Sequence, residues 1–132
     1  MSVNKYRIMI IDDEPIVVKR LKLVFEKMGY EVLVHTSGKE ALETLEKEPF
    51  DIVITDLKMD IDGFEVFEKA KTLNPKAKII IITGYADAQS ARRAVKEGVF
   101  DFIPKPFRLD DLKKSVMQAI EQLENHTKGE RF

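Results

Sequence analysis

Asp12, Asp13, Asp56, Thr83 and Lys105 are the side chains of this sequence whose types and positions suit chemistry. Each closes or directly follows a short apolar run: residues 7–11, 51–55, 78–83 and 100–104. Singly they are unremarkable, since strand-end acids and loop lysines are ordinary features of protein surfaces. Together, three carboxylates, a hydroxyl and an ammonium at one edge of a sheet make a site. Clustered carboxylates repel and cannot all stay ionised at neutral pH without a counter-charge. A hard divalent cation supplies one, and an all-oxygen donor set with no cysteine or nearby histidine points to Mg²⁺, with Mn²⁺ able to substitute. Such a site suits a tetrahedral dianion such as a phosphoryl group. Asp56 is then an oxygen nucleophile, the metal and Lys105 neutralise charge on the transferring oxygens, and Thr83 donates a hydrogen bond.

The positioning elements follow from the pattern. The first three runs are rich in β-branched residues and bounded by polar or turn-forming ones, so they read as buried strands, joined by residues 31–35 and the short run at 100–104. Helical patterns separate them, which requires crossovers and parallel strands sharing one C-terminal edge. Pro15 opens the first helix, with Val17, Leu21, Val24 and Met28 at helical spacing and Gly29 as its stop. Ser37 and Glu40 match a capping box for the second, which carries Ala41, Leu42 and Leu45. Phe64, Phe67, Ala70 and Leu73 form the third stripe. The fourth helix, from about residue 87 to residue 97, offers mainly small side chains (Ala88, Ala91 and Ala94, with Val95) and should be the most loosely held. Phe100 and Phe102 should share one face of the last strand, and Leu109, Leu112, Val116, Ile120 and Leu123 line the final helix.

Five such units give a doubly wound α/β fold with a five-stranded parallel sheet. The continuously apolar first, third and fourth strands belong in the centre, which selects the order 2-1-3-4-5 and a crevice between the first and third strands, where Asp12, Asp13 and Asp56 stand. With 132 residues and 44% hydrophobic composition, one domain over residues 1–124 with a polar tail over 125–132 is expected. The net charge of −1 gives no reason to expect direct nucleic-acid or membrane binding. The lack of cysteine excludes disulfides, no apolar stretch approaches the roughly 20 residues of a membrane span, and a cytoplasmic location is the expectation.

Asp12-Asp13 after an apolar strand, Asp56 within Ile-Thr-Asp-Leu-Lys-Met, Asp62-Gly63, Thr83-Gly84 and Lys105-Pro106-Phe107 together resemble the receiver domain of two-component response regulators, similar to chemotaxis regulators. The resemblance runs from about residue 6 to residue 123. It implies a flavodoxin-like (βα)₅ three-layer sandwich and a phosphoacceptor signalling domain, not an enzyme, that assists its own phosphotransfer and dephosphorylation. By it Asp56 is the phosphoacceptor, Asp12, Asp13 and Asp56 hold Mg²⁺ with the backbone carbonyl of Lys58, Thr83 and Phe102 form the switch pair, and Lys105 binds the phosphoryl group. It also implies a cis bond before Pro106. Two departures stand out. Asp60 occupies a position where many members carry proline, so the loop after Asp56 should be less rigid and more charged. Phe102 replaces the commoner tyrosine.

The implied donor is a sensor histidine kinase or a histidine phosphotransfer protein, docking on the first helix near Ile16, Val17 and Val18, with Pro106 and Phe107 extending the patch. The implied output is a protein target met through the last two helices and last strand, with room for a phosphorylation-dependent dimer. The chain reads either as a stand-alone receiver or as one cut from a longer regulator, the charged tail leaning toward the former. The alternative is a Mg²⁺-dependent aspartyl-phosphate phosphatase, but such enzymes place a second acid where Lys58 stands. A flavin module would want a Ser/Thr/Gly-rich loop where Asp12-Asp13-Glu14 stands.

Overall fold

A computed structural model of the chain describes residues 5–129, with side chains through residue 125. Strands and helices alternate throughout: β1 (Arg7–Ile11), α1 (Pro15–Lys27), β2 (Glu31–His35), α2 (Gly38–Lys47), β3 (Ile52–Asp56), α3 (Gly63–Leu73), β4 (Lys78–Thr83), α4 (Ala88–Glu97), β5 (Asp101–Pro104) and α5 (Leu109–Gly129). The five strands are parallel and ordered β2-β1-β3-β4-β5. The doubly wound three-layer fold inferred from the strand patterns is the fold observed.

Alternation along each central strand divides the interior in two. Ile8, Ile10, Ile52, Ile54, Ile80 and Ile82 face the layer of α1 and α5, and Met9, Ile11, Val53, Ile79 and Ile81 face the opposite layer. Both faces of β1, β3 and β4 are therefore covered, which is why these strands are apolar without interruption.

Register sets the functional edge. Ile11 pairs with Thr55, so Asp12 and Asp56, one residue further on, end level on adjacent strands. Strands lie about 4.8 Å apart, close enough for two carboxylates to share one ion. Asp56 pairs with Ile82 and Thr83 with Pro104, so Thr83 and Lys105 continue the row across the sheet.

Several sequence expectations need correction. In α1 the fully buried residues are Val18, Leu21 and Phe25, with Val17, Val24 and Met28 flanking them half-buried. In α3 Val66 is fully buried and Leu73 is exposed. Only Ala94 of α4 is buried; Ala88 is exposed and Val95 is 82% exposed, because a helix touching the sheet along so narrow a line turns the next residue, 100° round, to solvent. Phe100 and Phe102 pack on opposite layers, since strand pairing begins only at Asp101 and Phe100 lies outside the alternation. Helix α5 continues to Gly129, so residues 125–129 of the expected tail are helical, while 130–132 lie outside the described residues.

Candidate functional site

The carboxyl ends of β1 and β3 deliver the acids. Asp12 is fully buried: its N–H donates to the His35 carbonyl (3.2 Å), Oδ1 accepts from the Glu14 N–H (2.9 Å), and Oδ2 accepts from Lys105 Nζ (2.8 Å). Asp56 is 6% exposed, and its Oδ1 is taken by the Leu57 N–H at 2.7 Å. Its Oδ2 meets Lys105 Nζ at 3.2 Å. Asp13 is exposed, and ligand oxygens of Asp12, Asp13 and Asp56 all lie within 4.8 Å of one another. These are hard oxygen donors on the rim of a water-accessible crevice of about 530 Å³, bordered by Asp13, Asp56, Lys58, Tyr85 and Lys105. That donor set fits Mg²⁺.

Lys105 is the counter-charge. Its backbone N–H donates to the Thr83 carbonyl (2.8 Å), fixing the start of the β5–α5 connection against β4, and the following Lys105–Pro106 peptide is cis. Burial works against its ammonium, but the hydrogen bond to Asp12 and the charges of Asp12 and Asp56 outweigh that and hold it well above the ordinary lysine value. Glu14 Oε1 adds a third contact at 3.4 Å. Burial foremost, with some help from Asp12, pushes the Asp56 carboxyl up, while Lys105 pulls it back.

Thr83 is fully buried, and its Oγ1 accepts from the Tyr85 N–H (2.9 Å), which leaves the hydroxyl's own proton to give. Phe102 is half-buried on the other layer from Phe100, packed against the apolar cluster and not against the acids. Pro106 borders a separate apolar groove beside α1. The structure thus brings Asp12, Asp13, Asp56, Thr83 and Lys105 to one edge, and places Phe102 and Pro106 beside it.

Gly63 is held by close approach. Its N–H donates to the Leu57 carbonyl (2.9 Å), and a Cβ there would lie 2.6 Å from the Asp56 carbonyl oxygen. Asp62, immediately before it, caps α3 by accepting from the Phe64 N–H.

Asp60, where the resemblance leads one to expect a proline, ties the loop to α2: its carboxylate accepts from the Gly38 N–H (2.8 Å), the Lys39 N–H (3.2 Å) and Ser37 Oγ (3.1 Å), and those bonds, the Gly38 one foremost, lower its pKa. The Ser37 half of the capping box is present, with Oγ accepting from the Glu40 N–H, but the neighbouring amides go to Asp60. Sequence reasoning missed this because the contact spans 22 residues. It also missed Glu14 as a partner of Lys105, although its place directly after two acids of the site was a signal.

The family model described as the response regulator receiver domain matches residues 8–117. The chain belongs to that family. It is 36% identical over 123 residues to the transcriptional regulatory protein GlrR of Escherichia coli K12, a match covering 92% of this chain. The chain spans about a quarter of the length of the curated relatives it matches, 28% in the case of GlrR. Among solved structures, the receiver resembles a CheY-like receiver domain protein from Methanospirillum hungatei JF-1 (TM-score 0.88, 31% identity, 93% of this chain and 99% of that one). It also resembles a Burkholderia pseudomallei response regulator holding a phosphorylated aspartic acid, a calcium ion and citrate (TM-score 0.77, 30% identity, 92% of this chain and 75% of that one). Among the described residues, no helix is long and apolar enough to cross a membrane.

Proposed function

We propose that this receiver accepts a phosphoryl group on Asp56 from a phosphohistidine, carried by a sensor histidine kinase or a histidine phosphotransfer protein, in a Mg²⁺-dependent in-line transfer. One observation carries the reading: Asp56 Oδ1 is held by a backbone N–H, Oδ2 meets Lys105, and a carboxylate oxygen of Asp56 lies within 4.8 Å of one from Asp12 and one from Asp13. Asp56 Oδ2 attacks phosphorus, the P–N bond to the donor imidazole breaks, and the electron pair leaves with the ring. Lys105 moves its ammonium from the carboxylates to the incoming phosphoryl oxygens. The carboxylates of Asp12, Asp13 and Asp56, with the Lys58 carbonyl, would hold Mg²⁺, which when bound neutralises charge on those same oxygens. The Burkholderia pseudomallei relative, whose structure holds a phosphorylated aspartic acid and a calcium ion, supports this assignment.

The modification then biases an existing equilibrium. Thr83 gives its proton to a phosphoryl oxygen, Phe102 turns inward, and α4 re-seats. The donor docks in the apolar groove of about 710 Å³ between α1 and Pro106–Phe107, lined by Val17, Leu23 and Val24. Of the expected docking residues, Val18 is instead buried in the core and Ile16 is exposed outside the groove lining. Lys105 and Glu14 border both groove and crevice. The output is a protein target, or a second receiver, met through α4, β5 and α5 in the cytoplasm. Incubation with acetyl phosphate and Mg²⁺ tests the core of this reading. It should give an acid-stable, base-labile adduct that is absent from Asp56→Asn and absent when Mg²⁺ is chelated. Labelling of Asp56→Asn equal to wild type would overturn it, and sustained hydrolysis of small phosphate esters by catalytic amounts of protein would favour a phosphatase instead.

A further inference from the structure

The segment between β3 and α3, residues 57–62, is closed at its base, and Met59 and Ile61 pack against the core beside it. Leu57 donates to the Ile82 carbonyl, Gly63 donates back to the Leu57 carbonyl, and Gly63 presses on the backbone of Asp56. Residues 58–61 arch out from that base, with Lys58 on the crevice side. The arch meets the body of the domain at its other limb. There Asp60 takes the Gly38 and Lys39 amides and the Ser37 hydroxyl with its two oxygens. Ile61 lies over Gly38 so closely that a Cβ on that glycine would stand 2.7 Å from Ile61 Cβ. A carboxylate at the start of α2 is also well placed against the positive end of the helix dipole.

The same corner reaches the other side of the site. His35, three residues before Gly38, gives its carbonyl to the Asp12 N–H (3.2 Å) and bonds through Nε2 to Thr44 Oγ1 of α2 (2.9 Å). The β2–α2 corner therefore holds Asp12 by one contact and the Lys58 arch by another. These two contacts set the gap between the acids of β1 and the backbone of the arch.

We infer that Asp60 is a positioning residue for the cation site: seated on Ser37, Gly38 and Lys39, it fixes the arch so that the Lys58 carbonyl stands ready to join the carboxylates of Asp12, Asp13 and Asp56. The inference rests on the reading that those groups hold Mg²⁺. Asp60 touches neither metal nor phosphoryl; it acts through the backbone of Lys58. A proline would stiffen this segment from within, whereas Asp60 tethers it to a neighbouring helix, so here the cation site depends on α2.

Three variants of the full chain, Asp60→Ala, Gly38→Ala and Asp60→Asn, separate position from charge. Asp60→Asn removes the negative charge but keeps an oxygen for the Gly38 N–H. Gly38→Ala keeps the charge but pushes Ile61 and Asp60 off their seat. Mg²⁺ affinity by titration calorimetry should fall about tenfold in Asp60→Ala and in Gly38→Ala, the size expected for groups that orient a metal's ligands, and by no more than about twofold in Asp60→Asn. Amide exchange at residues 58–61 should speed up in the first two and stay near wild type in the third. Ser115→Ala, which removes a buried hydrogen bond to Asp101 on the far layer, controls for general loss of stability and should leave Mg²⁺ affinity unchanged. If Asp60→Asn weakens binding as much as Asp60→Ala while Gly38→Ala does not, the effect is charge and the inference is wrong. If wild type binds Mg²⁺ and all the variants match it, the inference alone is wrong. If wild type takes up no Mg²⁺, the metal reading falls and takes this inference with it.

Discussion

Replacing Lys105 by methionine removes the ammonium while keeping most of the aliphatic stem, and it should move stability and metal affinity in opposite directions. Lys105 Nζ sits 2.8 Å from Asp12 Oδ2 and 3.2 Å from Asp56 Oδ2. Removing one partner of a fully buried ion pair costs about 3–5 kcal/mol; here the lysine side chain is 21% exposed and the crevice is open beside Asp13 and Glu14, so about 1–3 kcal/mol is expected. For a divalent cation among the same carboxylates, the ammonium is a competitor. At a separation of about 5 Å and an effective dielectric of about 40–70, the repulsion between one and two positive charges is about 2–3 kcal/mol. Lys105→Met should therefore bind Mg²⁺ about 30- to 150-fold more tightly than wild type, although its metal-free form melts earlier. The pH dependence sharpens the test. Asp56 sits above the ordinary carboxylate value because of burial, with Lys105 restraining the rise. A carboxyl raised in the folded state binds protons there that the unfolded chain has released, so stability falls as pH climbs from about 4 to the folded value. Without Lys105 that fall should be deeper and extend to higher pH, and Mg²⁺ should abolish it. Calorimetric Mg²⁺ titration and thermal unfolding at several pH values, each with and without Mg²⁺, read all three effects. Mg²⁺ affinity equal to or weaker than wild type in Lys105→Met would refute the reasoning.

Three further outcomes follow. Gly63→Ala places a methyl 2.6 Å from the Asp56 carbonyl oxygen and 2.9 Å from Leu57 Cα, both backbone atoms with little room to yield; it should cost about 1–3 kcal/mol in urea unfolding and slow labelling by acetyl phosphate, and an unchanged midpoint would contradict the packing described. Thr83→Ala leaves the Tyr85 N–H without its 2.9 Å acceptor and should cost about 0.5–1.5 kcal/mol, whereas Thr83→Ser should cost less; NMR spectra of the alanine variant should also lose the phosphorylation-dependent shifts of α4, and full retention of them would break the proposed coupling. Leu23→Glu, at a side chain 60% exposed in the α1 groove, should leave stability within about 0.5 kcal/mol, cut phosphotransfer from a cognate kinase about tenfold and spare labelling by acetyl phosphate; equal losses with both donors would point to damage in the crevice instead of the docking face.

The fold was legible in the sequence because its strongest signals are one-dimensional. Three uninterrupted β-branched runs can only be central parallel strands, and parallel strands oblige their C-terminal residues to meet. Asp12, Asp56, Thr83 and Lys105 were found together for that reason alone. What escaped was information carried by contacts between distant segments. The buried stripe of α1 centres on Val18, Leu21 and Phe25 because the twisted sheet sets the helix's rotation, and the apolar spacing of 17, 21, 24 and 28 fits nearly as well. Phe100 and Phe102 differ by two residues but fall on opposite layers, since the strand begins between them. Asp60 is an exposed loop acid whose bonds to the start of α2 show only once that helix is placed beside it in space.

The fastening of α4 has a mechanical consequence. α5 is sunk into the interior through Leu112, Val116, Ala119, Ile120 and Leu123, so displacing it would open a cavity several side chains wide. α4 rests on Ala94, with Ser90 and Ala91 half-buried beside it, and on the Arg93 guanidinium lying 4.1 Å over the ring of Phe64, at the start of the helix that follows Asp56 and its loop. Sliding α4 gives up a few small contacts and one stacking interaction, on the order of 1–3 kcal/mol, within what the proposed phosphoryl group on Asp56 would deliver. The molecule thus carries one helix on a light latch, and that latch is hooked to α3, the helix that follows Asp56 and its loop.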